Sequence, residues 1–136
     1  MQALDFTVVG IPISAQSSSR SRQRWQSLVR RSAEARWPPG TPLVADEVAV
    51  LIIYFYVGDT DLDVDNIAKP ILDSLKSVVY LDDRHVSEMI VRKTGRSDDL
   101  EIRNPSPELT DALERLVDDF VYIRISGGPD HGEVPL

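Results

Sequence analysis

Asp63, Asp65, Asn66 and Lys69 crowd into one short stretch, and the pair Asp82-Asp83 follows after a helix-length gap. Four carboxylates this close repel one another, and a hard divalent cation is the most economical way to hold them together. A cation so held polarises a phosphoryl oxygen and lowers the pKa of a bound water. An ammonium group nearby stabilises charge on the transition state or on the leaving oxygen, and Lys69 is placed to supply it. Magnesium prefers hard oxygens and keeps several of its own waters, so two or three protein carboxylates are enough. The chemistry this set of residues can perform is metal-dependent phosphodiester cleavage.

The spacing says how the residues could be presented. Asp59, Asp61, Asp63 and Asp65 alternate, and an extended backbone would turn all four to one side. Asn66 can cap the helix that follows, and Lys69, one turn on, can face back toward the same point. Pro70 breaks the local rule, because it removes a helix hydrogen bond and is tolerated only near the first turn. An EF-hand reading fails: position six after Asp59 is Val64 rather than glycine, and position twelve is Pro70 rather than glutamate.

The elements that must position these residues are legible in outline. Residues 4–11 read as a first strand ended by Gly10 and Pro12, followed by a small polar loop at 14–22. A helix is predicted over 21–35, with Trp25, Leu28 and Val29 on one face and arginines on the others, stopped by Trp37-Pro38-Pro39-Gly40. Residues 48–57 are continuously apolar and β-branched, as in a central strand covered on both faces. A second helix is predicted over 66–78 on an Ile67, Ile71, Leu75 and Val78 stripe, then a strand over 86–94 and a short strand over 100–102. An amphipathic helix over 105–120 presents Leu109, Leu113, Leu116 and Val117. A last, half-exposed strand at 121–125 leads to a flexible tail at 127–136. The expected fold class is α/β (α+β), a single domain (residues 1–126) with a mixed sheet and helices packed on it.

Composition sets the bounds. With 136 residues and 42% apolar content, one ordinary core is expected. The absence of cysteine excludes disulfides, thiolate zinc sites and cysteine nucleophiles. No apolar run is long enough to span a bilayer and the first residues form no signal peptide, so a soluble cytoplasmic protein with no membrane partner is the expectation. The net charge of −7 argues against a polyanion partner until its distribution is considered. Residues 1–40 carry six arginines against only Asp5 and Glu34. Binding to DNA depends on the local patch, and an arginine arm beside an acidic metal site is compatible with it. Arg20, Arg22, Arg24, Arg30 and Arg31 are the candidate phosphate contacts, with a solvated helix face as the plain alternative. Arg36 lies too close to the Pro-Pro stop to be included.

One geometric difficulty bears on assembly. A helix of about thirteen residues at 1.5 Å each carries the chain roughly 20 Å before Asp83 is reached. Asp83 would then lie at the far end unless the next segment doubles back, whereas antiparallel helices in a two-fold dimer could bring Asp83 of one subunit to Asp63 and Asp65 of its mate.

The combination Asp63-x-Asp65-Asn66-x-x-Lys69-x-x-x-Asp73 with Tyr80-Leu81-Asp82-Asp83-x-x-Val86 closely resembles the RusA-type Holliday junction resolvases, over about residues 48–95. By that match Asp63, Asp65 and Asp83 resemble the metal-binding acidic residues and Lys69 the catalytic lysine, with Asp82 at the preceding acidic position. The resemblance also implies a homodimer, magnesium with manganese able to substitute, and nicking of branched, four-way DNA in recombination and repair. Asn66, Asp82 and His85 are candidates for supporting roles around the metal, His85 by orienting a water or as a ligand, although a lone histidine there is more often a surface side chain. His131 has no assigned role, and Trp25 and Trp37 read as packing anchors. Two departures stand out: the loop after the first strand is represented only by residues 10–16, and the helix before the last strand is longer than the family's prototype. Two other readings stay open: a catalytically silent DNA-binding module of the same fold, and a metal-dependent hydrolase of small phosphoesters with no need of the arginine arm.

Overall fold

Strand alternation decides which side chains each layer receives. In the computed structural model, which describes residues 1–97 and 99–136, a four-stranded sheet runs in the order β1 (Leu4–Val9), β4 (Phe120–Gly127), β2 (Val48–Tyr56), β3 (Val86–Gly95). β4 is antiparallel to both of its neighbours, and β3 runs parallel to β2. Helices α1 (Ser19–Arg36) and α2 (Val64–Leu75) are the crossovers and cover one face. There Val50, Ile52, Val121 and Ile123 meet Trp25, Val29, Ile67 and Ile71. Residues of opposite parity on the same strands, Phe55, Phe120 and Tyr122, pack on the other face against Leu109 and Ala112 of α3 (Pro107–Arg115). A mixed sheet with helices on it is therefore the architecture, as the pattern implies.

Several elements differ from expectation, each for a local reason. Residues 100–102 form no strand; Leu100 and Ile102 instead pack as partly buried cover over the α3-side cluster. α3 spans Pro107–Arg115, capped by the Ser106 hydroxyl, and Val117 is 81% exposed rather than part of the apolar stripe. Its early stop frees residues 116–119 to turn into β4. That last strand is not half-exposed, because it sits between β1 and β2 with Phe120, Val121, Tyr122, Ile123 and Ile125 all buried. In α1, Leu28 is exposed and Ala33 takes its place beside Trp25 and Val29. Beyond β4, the Gly128 amide donates to the Glu47 carbonyl, and His131 Nε2 lies 2.5 Å from Glu47 Oε2, which holds the Glu47 carboxyl below its usual range. Among the described residues no helix is long and apolar enough to cross a membrane.

The turn into β4 carries a node that ties three strand ends together. The Asp119 carboxylate accepts from the Tyr54 hydroxyl and, at 2.9 Å, from the Val57 amide. Its carbonyl accepts from the amide of Gly10, whose φ of +126° favours glycine at that corner. Tyr54 is 1% exposed, so burial and the neighbouring carboxylate push its ionisation far above the ordinary phenol range. Asp119→Ala strands that hydroxyl and an amide together. The variant should lose about 2–3 kcal/mol of unfolding free energy in urea titration, with Asp119→Asn losing clearly less.

Candidate functional site

α2 opens three residues earlier than an Asn66 cap would place it, directly after Asp63. Asp63 occupies the cap position in extended backbone (φ −82°, ψ 145°), and its carboxylate makes no capping bond. The extended alternation of aspartates therefore ends at Asp63, and Asp65 lies inside the first helical turn rather than in line with the others. Asp59, Asp61, Asp63 and Asp65 are all exposed.

At about 100° per residue, the buried Ile67, Ala68, Ile71, Ser74 and Leu75 take one side of α2. Asp65, Lys69, Asp73 and Lys76 then fall within an arc of roughly 80° on the opposite side. That stripe is legible in the sequence once the helix is placed. It adds Lys76 to the residues singled out above and sets Asp73, already part of the motif, beside Lys69.

Pro70 lies well inside the helix, not in its first turn. It has no N–H for the carbonyl four residues back, which is that of Asn66. That carbonyl is not wasted: the Ala15 amide donates to it at 3.0 Å. Arg22 in turn donates to the carbonyls of Ala15 (3.1 Å) and Ser17 (2.6 Å). The missing donor in α2 thus becomes the docking point for the loop that opens the arginine-rich helix, and it sets the start of α1 beside the acidic start of α2.

The arginines divide accordingly. Arg22 falls on the side of α1 that holds Trp25, Val29 and Ala33 and is committed to the loop. Arg20, Arg24 and Arg31 fall within roughly 40° of one another on the opposite side, all exposed, and Arg30 is exposed on a flank. Arg36 lies 4.0 Å from Asp5.

Beyond α2 the chain does double back. Ser77 takes a positive φ of 64°, its amide donates to the Tyr80 carbonyl at 2.7 Å, and Val78, Val79 and Tyr80 are buried. This reversal returns Asp83 alongside α2 rather than leaving it beyond the helix end. Asp83 Oδ2 lies 3.8 Å from Lys69 Nζ and 3.5 Å from Lys76 Nζ, while Lys69 also donates to Asp73 at 2.9 Å. The Asp73 hydrogen bond raises the Lys69 pKa above its ordinary value, opposed by burial and helped by the Asp73 and Asp83 charges, so the side chain is an ammonium at neutral pH with a wider margin than a free lysine. The buried Tyr80 phenol is raised as well, by burial first and then by Asp83 and Asp73. Asp83 Oδ1 is buried with no hydrogen-bond partner.

The site residues are thus partly assembled. Lys69 and Asp83 come together, but among the described residues of a single chain no three acidic or histidine side chains gather as a metal-holding group. The parallel β2–β3 ladder explains this. Asp63 follows the C-terminal end of β2, whereas Asp83 precedes the N-terminal end of β3. Asp82 is exposed before the 3₁₀ turn Asp83–His85, and the His85 amide donates to its carbonyl at 3.0 Å. Lys93 on β3, not singled out by the sequence, donates to the Leu62 carbonyl at 2.7 Å and so ties the acidic loop to the sheet.

The surface of α2 thus carries an acid-and-lysine stripe, and α2 is docked to an arginine-faced helix. Residues 16–103 match the family model for Endodeoxyribonuclease RusA, and the chain belongs to that family. It is accordingly a nuclease that hydrolyses phosphodiester bonds, with DNA as its substrate and Holliday junction resolution as the family activity. Comparison with curated proteins yields no match.

Because Arg22 is structural in this arrangement, Arg22→Ala should lower the unfolding free energy by about 1–3 kcal/mol, as expected for charge-assisted bonds to partly buried carbonyls. Arg24→Ala, on the exposed side, should change it by less than about 0.5 kcal/mol. Paired urea titrations check the contrast.

Proposed function

We propose that this nuclease cuts four-way DNA junctions as a homodimer, in recombination and repair. In this reading each magnesium (or manganese) ion is held by Asp63 and Asp65 of one subunit and Asp83 of its mate. The observation that carries the reading is Asp83 Oδ1, a buried anionic acceptor with no donor. Unpaired buried acceptors are rare, and a hard carboxylate oxygen without a donor suits a divalent cation. The lysines beside it have long, partly exposed stems, so the carboxylate becomes reachable when they move. Asp63 and Asp65, exposed at the start of α2, supply further hard oxygens without having to break a cap. When bound, the ion would polarise the scissile phosphate and acidify an attacking water.

The remaining work falls to this chain's own side chains. Lys69, one turn from Asp65 on the same stripe, presents a persistent ammonium to the phosphate or the departing oxygen. Asp73 holds that ammonium in place in the free protein and gives it up when phosphate oxygens arrive. Arg20, Arg24 and Arg31, with Arg30 at their flank, track the phosphate backbone, and Arg22 serves them by bracing the loop. Asn66 contributes through its carbonyl, while Asp82 and His85 border the Asp83 carboxylate.

Purified protein with magnesium should nick a synthetic four-way junction, and Asp65→Asn should abolish cleavage while leaving junction affinity within about threefold. Retained cleavage in Asp65→Asn would reject the assignment. The arginine reading has its own check in a binding titration against salt. Replacing Arg20, Arg24 and Arg31 together by alanine should reduce the log–log slope by about 2–3, at close to 0.9 per phosphate contact. An unchanged slope would show that this side of α1 faces away from DNA.

A further inference from the structure

The two faces of the sheet are covered unequally. On one, α1 and α2 bury Val48, Val50, Ile52 and Tyr54. On the other, α3 is only nine residues long and packs on the end built from Phe55, Phe120 and Tyr122. Side chains alternate along a strand, so Arg124 shares the α3 side with Tyr122. The ladder extends that side to Leu51 and Ile90, in register with Arg124, and to Arg92, in register with Ile53. Ile90 is 53% exposed, and Leu51 and Ile53 are only partly buried, so this end of the face is left open.

Two adjoining hollows of about 480 and 340 Å³ lie over this end and share Ile53, Ile102 and Arg103. Leu51 and Arg124 line the first, and Arg92 lines the second. Among the described residues the arginine–carboxylate pairs are Arg36–Asp5 and Arg115–Asp111, so Arg92, Arg103 and Arg124 have no carboxylate partner. All three are exposed. Of the acids nearby, Asp5 is already met by the Ser106 and Tyr122 hydroxyls and by Arg36, which leaves Glu88 and Glu101. The result is a positive rim around an aliphatic floor, in a chain whose net charge is −7.

We propose that this groove binds an acidic peptide segment of a partner protein, one that sets aspartate or glutamate beside an aliphatic or aromatic side chain. The apolar side chain lies on Leu51, Ile53 and Ile102. The carboxylates meet the arginine rim, where each guanidinium can bind both oxygens of a carboxylate. Each half of the surface excludes a simpler occupant. A phosphate backbone would answer the arginines but leave the aliphatic floor uncovered, and a purely apolar partner would leave the arginines without acceptors. The groove lies on the side of the sheet away from α1 and α2. A peptide seated there leaves the Lys69–Asp83 stripe and the α1 arginines open to DNA. The groove thus serves to place the nuclease on a partner, and it stands apart from the shared-site reading above.

The test is a displayed library of random peptides panned against the full chain. Enriched peptides should carry acidic residues next to leucine, isoleucine or phenylalanine. A fluorescent synthetic copy of the most enriched peptide should bind the Arg92→Ser, Arg103→Ser, Arg124→Ser triple variant about tenfold or more weakly than wild type in an anisotropy titration. Raising salt from about 0.05 M to about 0.5 M should weaken binding to wild type by about fivefold or more. Ile102→Ser should weaken it about fivefold by removing part of the floor, whereas Arg24→Ala, on the other face, should leave it within about twofold. Junction cleavage by the triple variant should match that of wild type. Panning with no enrichment over a blank support overturns the proposal. Enriched peptides that are basic or purely apolar, or that bind the triple variant as tightly as wild type, overturn it as well. So does a triple variant that loses affinity for the four-way junction and not for the peptide, which would give this face to DNA. A wild-type protein that binds the peptide but cuts no junction upholds the groove and overturns the nuclease reading alone. Circular dichroism checks each variant, and if Ile102→Ser fails to fold, the triple variant at exposed positions decides.

Discussion

The hydrogen bond from the Ala15 amide to the Asn66 carbonyl joins the loop before the arginine-faced helix to the acidic start of α2. It exists because Pro70 cannot use that carbonyl, and a buried or half-buried carbonyl without a donor is costly. A proline inside a helix would ordinarily weaken it; here the vacated acceptor is filled from another element. The loop so captured is gripped from its other side by Arg22, so the start of α1 is held against the start of α2 by two different kinds of bond. The arginine-faced helix and the acidic cluster are thereby kept as neighbours.

Charge is arranged on α2 with similar economy. Its buried side is wholly committed to the core, which leaves Asp65, Lys69, Asp73 and Lys76 to share the outer side. Alternating signs along this stripe hold the lysines in place and keep Lys69 cationic. The same lysines stand beside Asp83 and offset part of its charge in a chain that is acidic overall. The arginines lie on a separate helix face from this stripe, so the acidic charge of the whole chain is not the charge of each of its surfaces.

The sheet order has consequences for both folding and assembly. β1 pairs with β4 alone, and β2 meets β4 across its whole length, so the first strand has no ladder until the last is in place. Such non-local pairing is slow to form and rewards the chain late. The Asp119 node then locks the corner where these strands meet. Filling the centre with β4 pushes β3 to the rim, where its apolar midpoint remains uncovered in a single chain.

Much of this was open to reading in the sequence. The continuous apolar run of β2, the Ile67–Ile71–Leu75 stripe of α2 and the capped start of α3 are local patterns, and local patterns survive in one dimension. The acidic motif and Lys69 were visible for the same reason, since their meaning lies in short spacings. What the sequence could not carry were relations between distant residues. The place of β4 inside the sheet depends on which strands pair, and its alternating residues 121–125 look alike on a rim or in a centre. The role of Arg22 depended on where the loop folded, and the use made of the Asn66 carbonyl on a donor fifty-one positions away in the chain. The position of Asp83 turned on a reversal at Ser77 that takes a left-handed backbone without a glycine to announce it. Residue types and short spacings determined the chemistry available to this protein. The tertiary structure alone decided which groups share a surface, because hydrogen-bond partners and strand neighbours are chosen in space rather than along the chain.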